Sequence, residues 1–204
     1  MASSGCGYVT PSRASGGKPS GPVAPAILTG YDGLWDTLAD QVILQIRRPV
    51  QSRSLGLRLA IPTLLERTLR GRTTARFSYS LGQTEAQPVT LSMLLRRLLL
   101  VGQRVDLVLA ASASEDWQCQ SQVEALLQAS NLCSCTVVPA LEAIVVVGDE
   151  FALVSSAALC LGRERDADVG VLLTDSAGRR ATLTAFDNLR RRGQPWRPGQ
   201  RYER

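Results

Sequence analysis

The sequence predicts an α/β domain: a mixed, mostly parallel sheet with helices on both faces. Three observations carry that reading. Helical and strand-like patterns alternate along residues 55–193, the arrangement that builds parallel sheets through right-handed crossovers. The apolar runs "EAIVVVG" (142–148) and "FALVSSAAL" (151–159) are nearly continuous, which suits strands buried on both faces. Only a short link containing Asp149 and Glu150 joins them, so that pair runs antiparallel and the sheet is mixed.

The elements follow in order. Residues 1–30 are rich in Gly, Ser and Pro, with few side chains to offset the entropy of ordering, and read as a flexible tail. Residues 31–50 place Leu34, Leu38, Val42 and Ile46 at four-residue spacing with Trp35 beside them, an amphipathic helix stopped by Pro49. "PTLLERTLRG" (62–71) opens on Pro and closes on Gly, as helices do. "ARFSYSL" (75–81) alternates like a strand, and "PVTLSMLLRRLLLVG" (88–102) reads as a helix ending at Gly102. "RVDLVLA" (104–110) is a strand, and "SEDWQCQSQVEALLQAS" (114–130) a helix with Ser114 as its N-cap. "SCTVVPA" (134–140) is a short strand, and residues 142–158 form a hairpin. "ADVGVLLTD" (167–175) is a further strand and residues 176–193 a closing helix. Residues 194–204 read as a Pro-broken basic tail.

A chain of 204 residues can bury a sizeable core. Its apolar runs fall short of the roughly 18 residues a membrane span needs, and its N-terminus lacks the order of a signal peptide. The expectation is a cytoplasmic protein without membrane contact. The net charge of +5 is almost wholly arginine, Lys18 being the one lysine. That skew fits a GC-rich genome or a hot habitat as well as nucleic-acid binding. The five cysteines, Cys6, Cys119, Cys133, Cys135 and Cys160, have neither the number nor the spacing of a disulfide framework. They read as small buried hydrophobes, or alternatively as a habitat-driven disulfide. The chain has no histidine.

The hairpin resembles the signature of the phospholipase D superfamily. There one strand carries His-x-Lys, then four residues, then Asp, and the next strand carries Gly-Ser-x-Asn. Aligned on Asp149, Glu142 takes the place of the His and Ile144 that of the Lys; shifting the first strand by one puts Leu141 and Ala143 there. With a one-residue difference in length, Ser155-Ser156 fall on Gly-Ser and Ala158 on Asn. Asp168 matches an acidic residue of the family's following strand, and "TAFDNL" resembles its closing helix. The likeness spans about residues 60–190. It implies a phospholipase D-like single unit with a vestigial site at Glu142, Ile144, Asp149, Ser155, Ser156 and Asp168.

In that family one histidine attacks phosphorus and a second protonates the leaving oxygen, across two copies of the signature. A carboxylate replaces neither: its charge repels a phosphodiester and its pKa suits neither role. The expectation is an inactive domain with no catalytic residues, no cofactor and no metal. A chain with one such unit is expected to pair as a homodimer. Retained binding of DNA or RNA is the leading function. The runners-up are a ligand-sensing regulatory domain and a remodelled, metal-dependent phosphodiesterase in which Glu142, Asp149 and Asp168 hold Mg²⁺. Arg190, Arg191, Arg192, Trp196, Arg197 and Arg201 combine phosphate-pairing guanidiniums with an aromatic ring, and are the expected nucleic-acid contacts. The same arginines also suit the C-terminal end of a helix dipole and a solvated tail.

Overall fold

A computed structural model describes residues 24–29, 31–64, 68–69, 89–156 and 169–202. Its chain order is β1 (Ala26–Thr29), α1 (Tyr31–Ile46), β2 (Leu57–Ile61), β3 (Thr68–Leu69), β4 (Val89–Thr90) and α2 (Leu91–Leu100). Then come β5 (Val105–Ala110), a 3₁₀ turn (Ala111–Glu115), α3 (Trp117–Ala129) and β6 (Cys133–Val138). The chain closes with β7 (Ala143–Val147), β8 (Ala152–Ser156), β9 (Val169–Leu173), α4 (Ser176–Arg192) and β10 (Gln194–Pro195).

One eight-stranded sheet runs in the order β1-β9-β8-β7-β2-β5-β6-β10. It is mixed, with helices on both faces, as expected. The parallel pairings are β2 with β5 and β5 with β6. The pairings outside that centre are antiparallel, so the parallel share is smaller than the alternation of elements implied. Alternation fails because β7, β8 and β9 follow one another with no described helix between them. Helices α1, α2 and α3 pack on one face with Leu59, Leu107, Ile144 and Leu153. Helix α4 covers the other, where Phe186 lies fully buried among Ala60, Val108, Val145 and Val147.

Several elements differ from expectation. Residues 26–29 lie in the expected tail yet form β1, whose backbone pairs with β9 at the edge of the sheet. Residues 62–64 are not helical and 68–69 form β3, paired with β4. No helix forms over residues 62–64 and 68–69, and the rest of "PTLLERTLRG" lies outside the described residues. The expected strand 75–81 lies outside the described residues. The N-cap of α3 is Asp116, whose carboxylate accepts from Gln118 N at 2.9 Å. Ser114 instead donates to the Ala111 carbonyl at 2.7 Å, inside the 3₁₀ turn. Central strand β2 was not among the expected elements, because Arg58 breaks its apolar run.

The end of the chain is also more than a tail. Trp196 N donates to the Cys135 carbonyl at 2.9 Å, extending the β10–β6 pairing. The close approach begins at Gly193, where a Cβ would lie 2.4 Å from Thr136 Cγ2 and 2.7 Å from the Val137 carbonyl oxygen. Tyr202 Oη accepts from Arg197 N at 2.6 Å and donates to the Pro195 carbonyl at 2.9 Å, which closes the segment into a loop. Trp196 and Tyr202 are buried with their rings stacked 6.2 Å apart. Two buried aromatic rings supply the apolar area that a basic composition conceals.

Candidate nucleic-acid interface

The β7–β8 hairpin scatters the residues of the expected vestigial site. Ile144 is fully buried on the α1 side of the sheet, opposite Ser155 on β8. Ser155 is buried too, its hydroxyl donating to the Val169 carbonyl at 3.3 Å. Ser156 is exposed and pairs with Ala143. Glu142 is exposed just before β7, whereas Asp149 sits in the turn beyond its other end. Asp168 lies outside the described residues.

Asp149 is a tether. Its carboxylate accepts from Ser54 Oγ at 2.5 Å and from Leu55 N at 2.6 Å, while Arg179 donates to its carbonyl. It thus ties the β7–β8 turn to the loop entering β2 and to the first turn of α4. The full length of β7 separates it from Glu142, about 17 Å at the strand rise per residue. Those two carboxylates cannot share one Mg²⁺, which removes the three-carboxylate metal site considered above.

A charged cluster that sequence reasoning missed lies under α4. Asp106 is 1% exposed and accepts from Ser134 Oγ at 2.5 Å. Three guanidiniums converge on it: Arg58 at 3.5 Å, Arg190 at 3.7 Å and Arg104 at 3.8 Å. The signal was there, since Arg58 and Asp106 each interrupt an apolar strand and lie directly opposite in the β2–β5 register. Arg190, an expected nucleic-acid contact, thereby reaches inward to Asp106. Burial, and then the Asp106 charge, pushes the nearby Cys133 thiol up to about 11. Burial likewise raises Cys119 and Cys135. All three are free thiols, so they behave as small hydrophobes and not as nucleophiles.

The other expected contacts divide. Trp196 packs inside and offers no open ring face. Arg191, Arg192, Arg197 and Arg201 are exposed. Arg192 and Arg201 line a hollow of about 470 Å³ with Pro139, Gln194 and Gln200. It opens at the carboxyl end of β6, the end of a parallel sheet where ligands bind in open α/β folds. The basic last turn of α4 ends there. Such a surface can pair with phosphates through bidentate guanidiniums.

Among the described residues, four helices and a mixed sheet with this hairpin near its centre make a fold shared with phospholipase D-type structures. Solved structures sharing it include the archaeal chromatin protein TrmBL2, whose structure shows a mode of DNA binding. It is 8% identical with a TM-score of 0.54, over 88% of this chain and 56% of that one. Nuc from Salmonella typhimurium, a phospholipase D family member, is 9% identical with a TM-score of 0.53, over 85% of this chain and 99% of that one. NucT from Helicobacter pylori is 9% identical with a TM-score of 0.52, over the same shares. At these identities the likeness establishes architecture, and function must be argued from the site. No family model matches the chain, and no curated protein matches it.

Proposed function

We propose that this chain is a catalytically inactive phospholipase D-type protein that binds nucleic acid as a homodimer. One observation carries the loss of catalysis: the chain has no histidine, so neither alignment of the hairpin, on Glu142 and Ile144 or on Leu141 and Ala143, supplies the family's nucleophile. The binding half is supported by Arg192 and Arg201 at the 470 Å³ hollow and by the net charge of +5. A fold neighbour described as a DNA-binding chromatin protein is compatible with it. Pairing is the proposed arrangement because the family's site needs two copies of the signature, and a second copy of this chain would supply the other. The proposed seam lies beside the β7–β8 hairpin.

The test is a salt titration of oligonucleotide binding followed by fluorescence anisotropy. Log affinity is expected to fall linearly with log salt, with a slope of several units, because each neutralised phosphate releases about 0.7–0.9 counterion. Arg201→Gln is expected to reduce that slope by about one unit. A flat salt response, or no binding at low salt, contradicts the proposal.

A further inference from the structure

Trp117 differs from the chain's other tryptophans. Trp35 and Trp196 are 5% and 8% exposed, whereas Trp117 is 72% exposed at the first position of α3. An open indole on a soluble surface forfeits the large burial that ring normally gains. It does not stand alone. The Arg192–Arg201 hollow continues into a second, of about 450 Å³, through shared Gln200 and Arg201. That one continues into a third, of about 350 Å³, through shared Gln120. Trp117 lines the third. Taken in succession, the three hollows make a furrow with guanidiniums lining its first part and the Trp117 ring its last. Glu115 and Glu124 also line it, so phosphates are directed to the Arg192–Arg201 end and the uncharged part of the ligand to Trp117.

We infer that this furrow takes single-stranded nucleic acid, with Trp117 as the residue on which an unpaired base stacks. The inference rests on the nucleic-acid reading above and deepens it. A strand that places phosphates on Arg192 and Arg201 and turns a base onto an indole meets both ends of the furrow. In a duplex the base faces are already stacked on their neighbours, so only an unpaired base can use Trp117.

The experiment titrates the full-length chain with a dT15 oligonucleotide and with a 15-base-pair duplex, reading tryptophan fluorescence and anisotropy. The wild type is expected to bind dT15 with quenching and to bind the duplex more weakly. Trp117→Ala is expected to weaken dT15 binding by about 5- to 150-fold, the range for loss of one base–aromatic stack, and to abolish the quenching. Trp117→Phe keeps a ring and is expected to recover most of the affinity. Both variants change an exposed side chain, and circular dichroism and thermal melting verify that they fold. Unchanged dT15 affinity in Trp117→Ala, or equal affinity for duplex, overturns the inference while leaving salt-dependent binding intact. Absence of binding by the wild type overturns both readings. Saturation at two chains per contact, with Trp117 quenched by self-association alone, assigns the surface to a second copy and also overturns it.

Discussion

Asp106→Ala is expected to lower the unfolding free energy by about 3–5 kcal/mol, the usual loss when one partner of a buried ion pair is removed. The size follows from what remains. Asp106 is the carboxylate on which Arg58, Arg104 and Arg190 converge, and it is 1% exposed. Arg104 and Arg190 are 60% and 42% exposed and can turn to water. Arg58 is only 16% exposed, so its charge would be left without compensation in the sheet. Ser134 also loses the acceptor of its 2.5 Å hydrogen bond. The double variant Arg58→Met/Asp106→Leu separates burial of an unpaired charge from general damage. Swapping a buried pair for apolar residues of similar volume is often neutral, so the double variant is expected to recover most of the loss. Urea unfolding of the three proteins gives the answer through midpoints at constant slope. A single variant within about 0.5 kcal/mol of wild type would mean that the cluster is solvated and that the buried geometry is wrong.

Phe186→Ala is expected to cost about 3–5 kcal/mol, the range for deleting a fully buried aromatic ring. Phe186 is the large side chain by which α4 grips the sheet, with 0% exposure among Ala60, Val108, Val145 and Val147. Those neighbours are small, so they cannot close over the gap. The consequence reaches the interface, because α4 also delivers Arg190 to Asp106 and Arg192 to the basic hollow. Loosened packing of α4 should therefore weaken nucleic-acid binding along with stability. Phe186→Leu keeps most of the volume and should retain most of both. A Phe186→Ala protein that melts like wild type would show that α4 is held by something other than this ring.

The parts of the fold legible in the sequence were those with a strong period or a sharp stop. The β7–β8 hairpin was readable because two apolar runs flank Gly148-Asp149-Glu150, and the turn falls there. Helix α4 was readable from its starting residues, and the structure adds its cap, Asp175, which accepts from Gly178 N at 2.7 Å. What escaped had its signal inverted by tertiary contacts. Strand β2 carries a charge at Arg58 that composition places outside and that Asp106 brings in. Pro195, Pro198 and five arginines among residues 190–201 suggested a solvated tail. Pairing with β6 and stacking of Trp196 on Tyr202 outweighed that composition. For the site, exposed Arg192 and Arg201 were legible as charge, but their meeting at one hollow needed the fold. Trp117 read as part of an ordinary helix, since periodicity marks which face is apolar and does not report an aromatic left outside it.

The central claim is that the unit keeps the architecture of a phosphodiesterase superfamily without its covalent chemistry. The direct measurement is hydrolysis of a chromogenic phosphodiester and of single-stranded DNA by purified protein, with and without Mg²⁺ or Mn²⁺. Glu142→Gln and Asp149→Asn are assayed alongside. The account predicts no turnover above the level shared by all three proteins. Turnover that disappears on changing one side chain between residues 142 and 156 would contradict it.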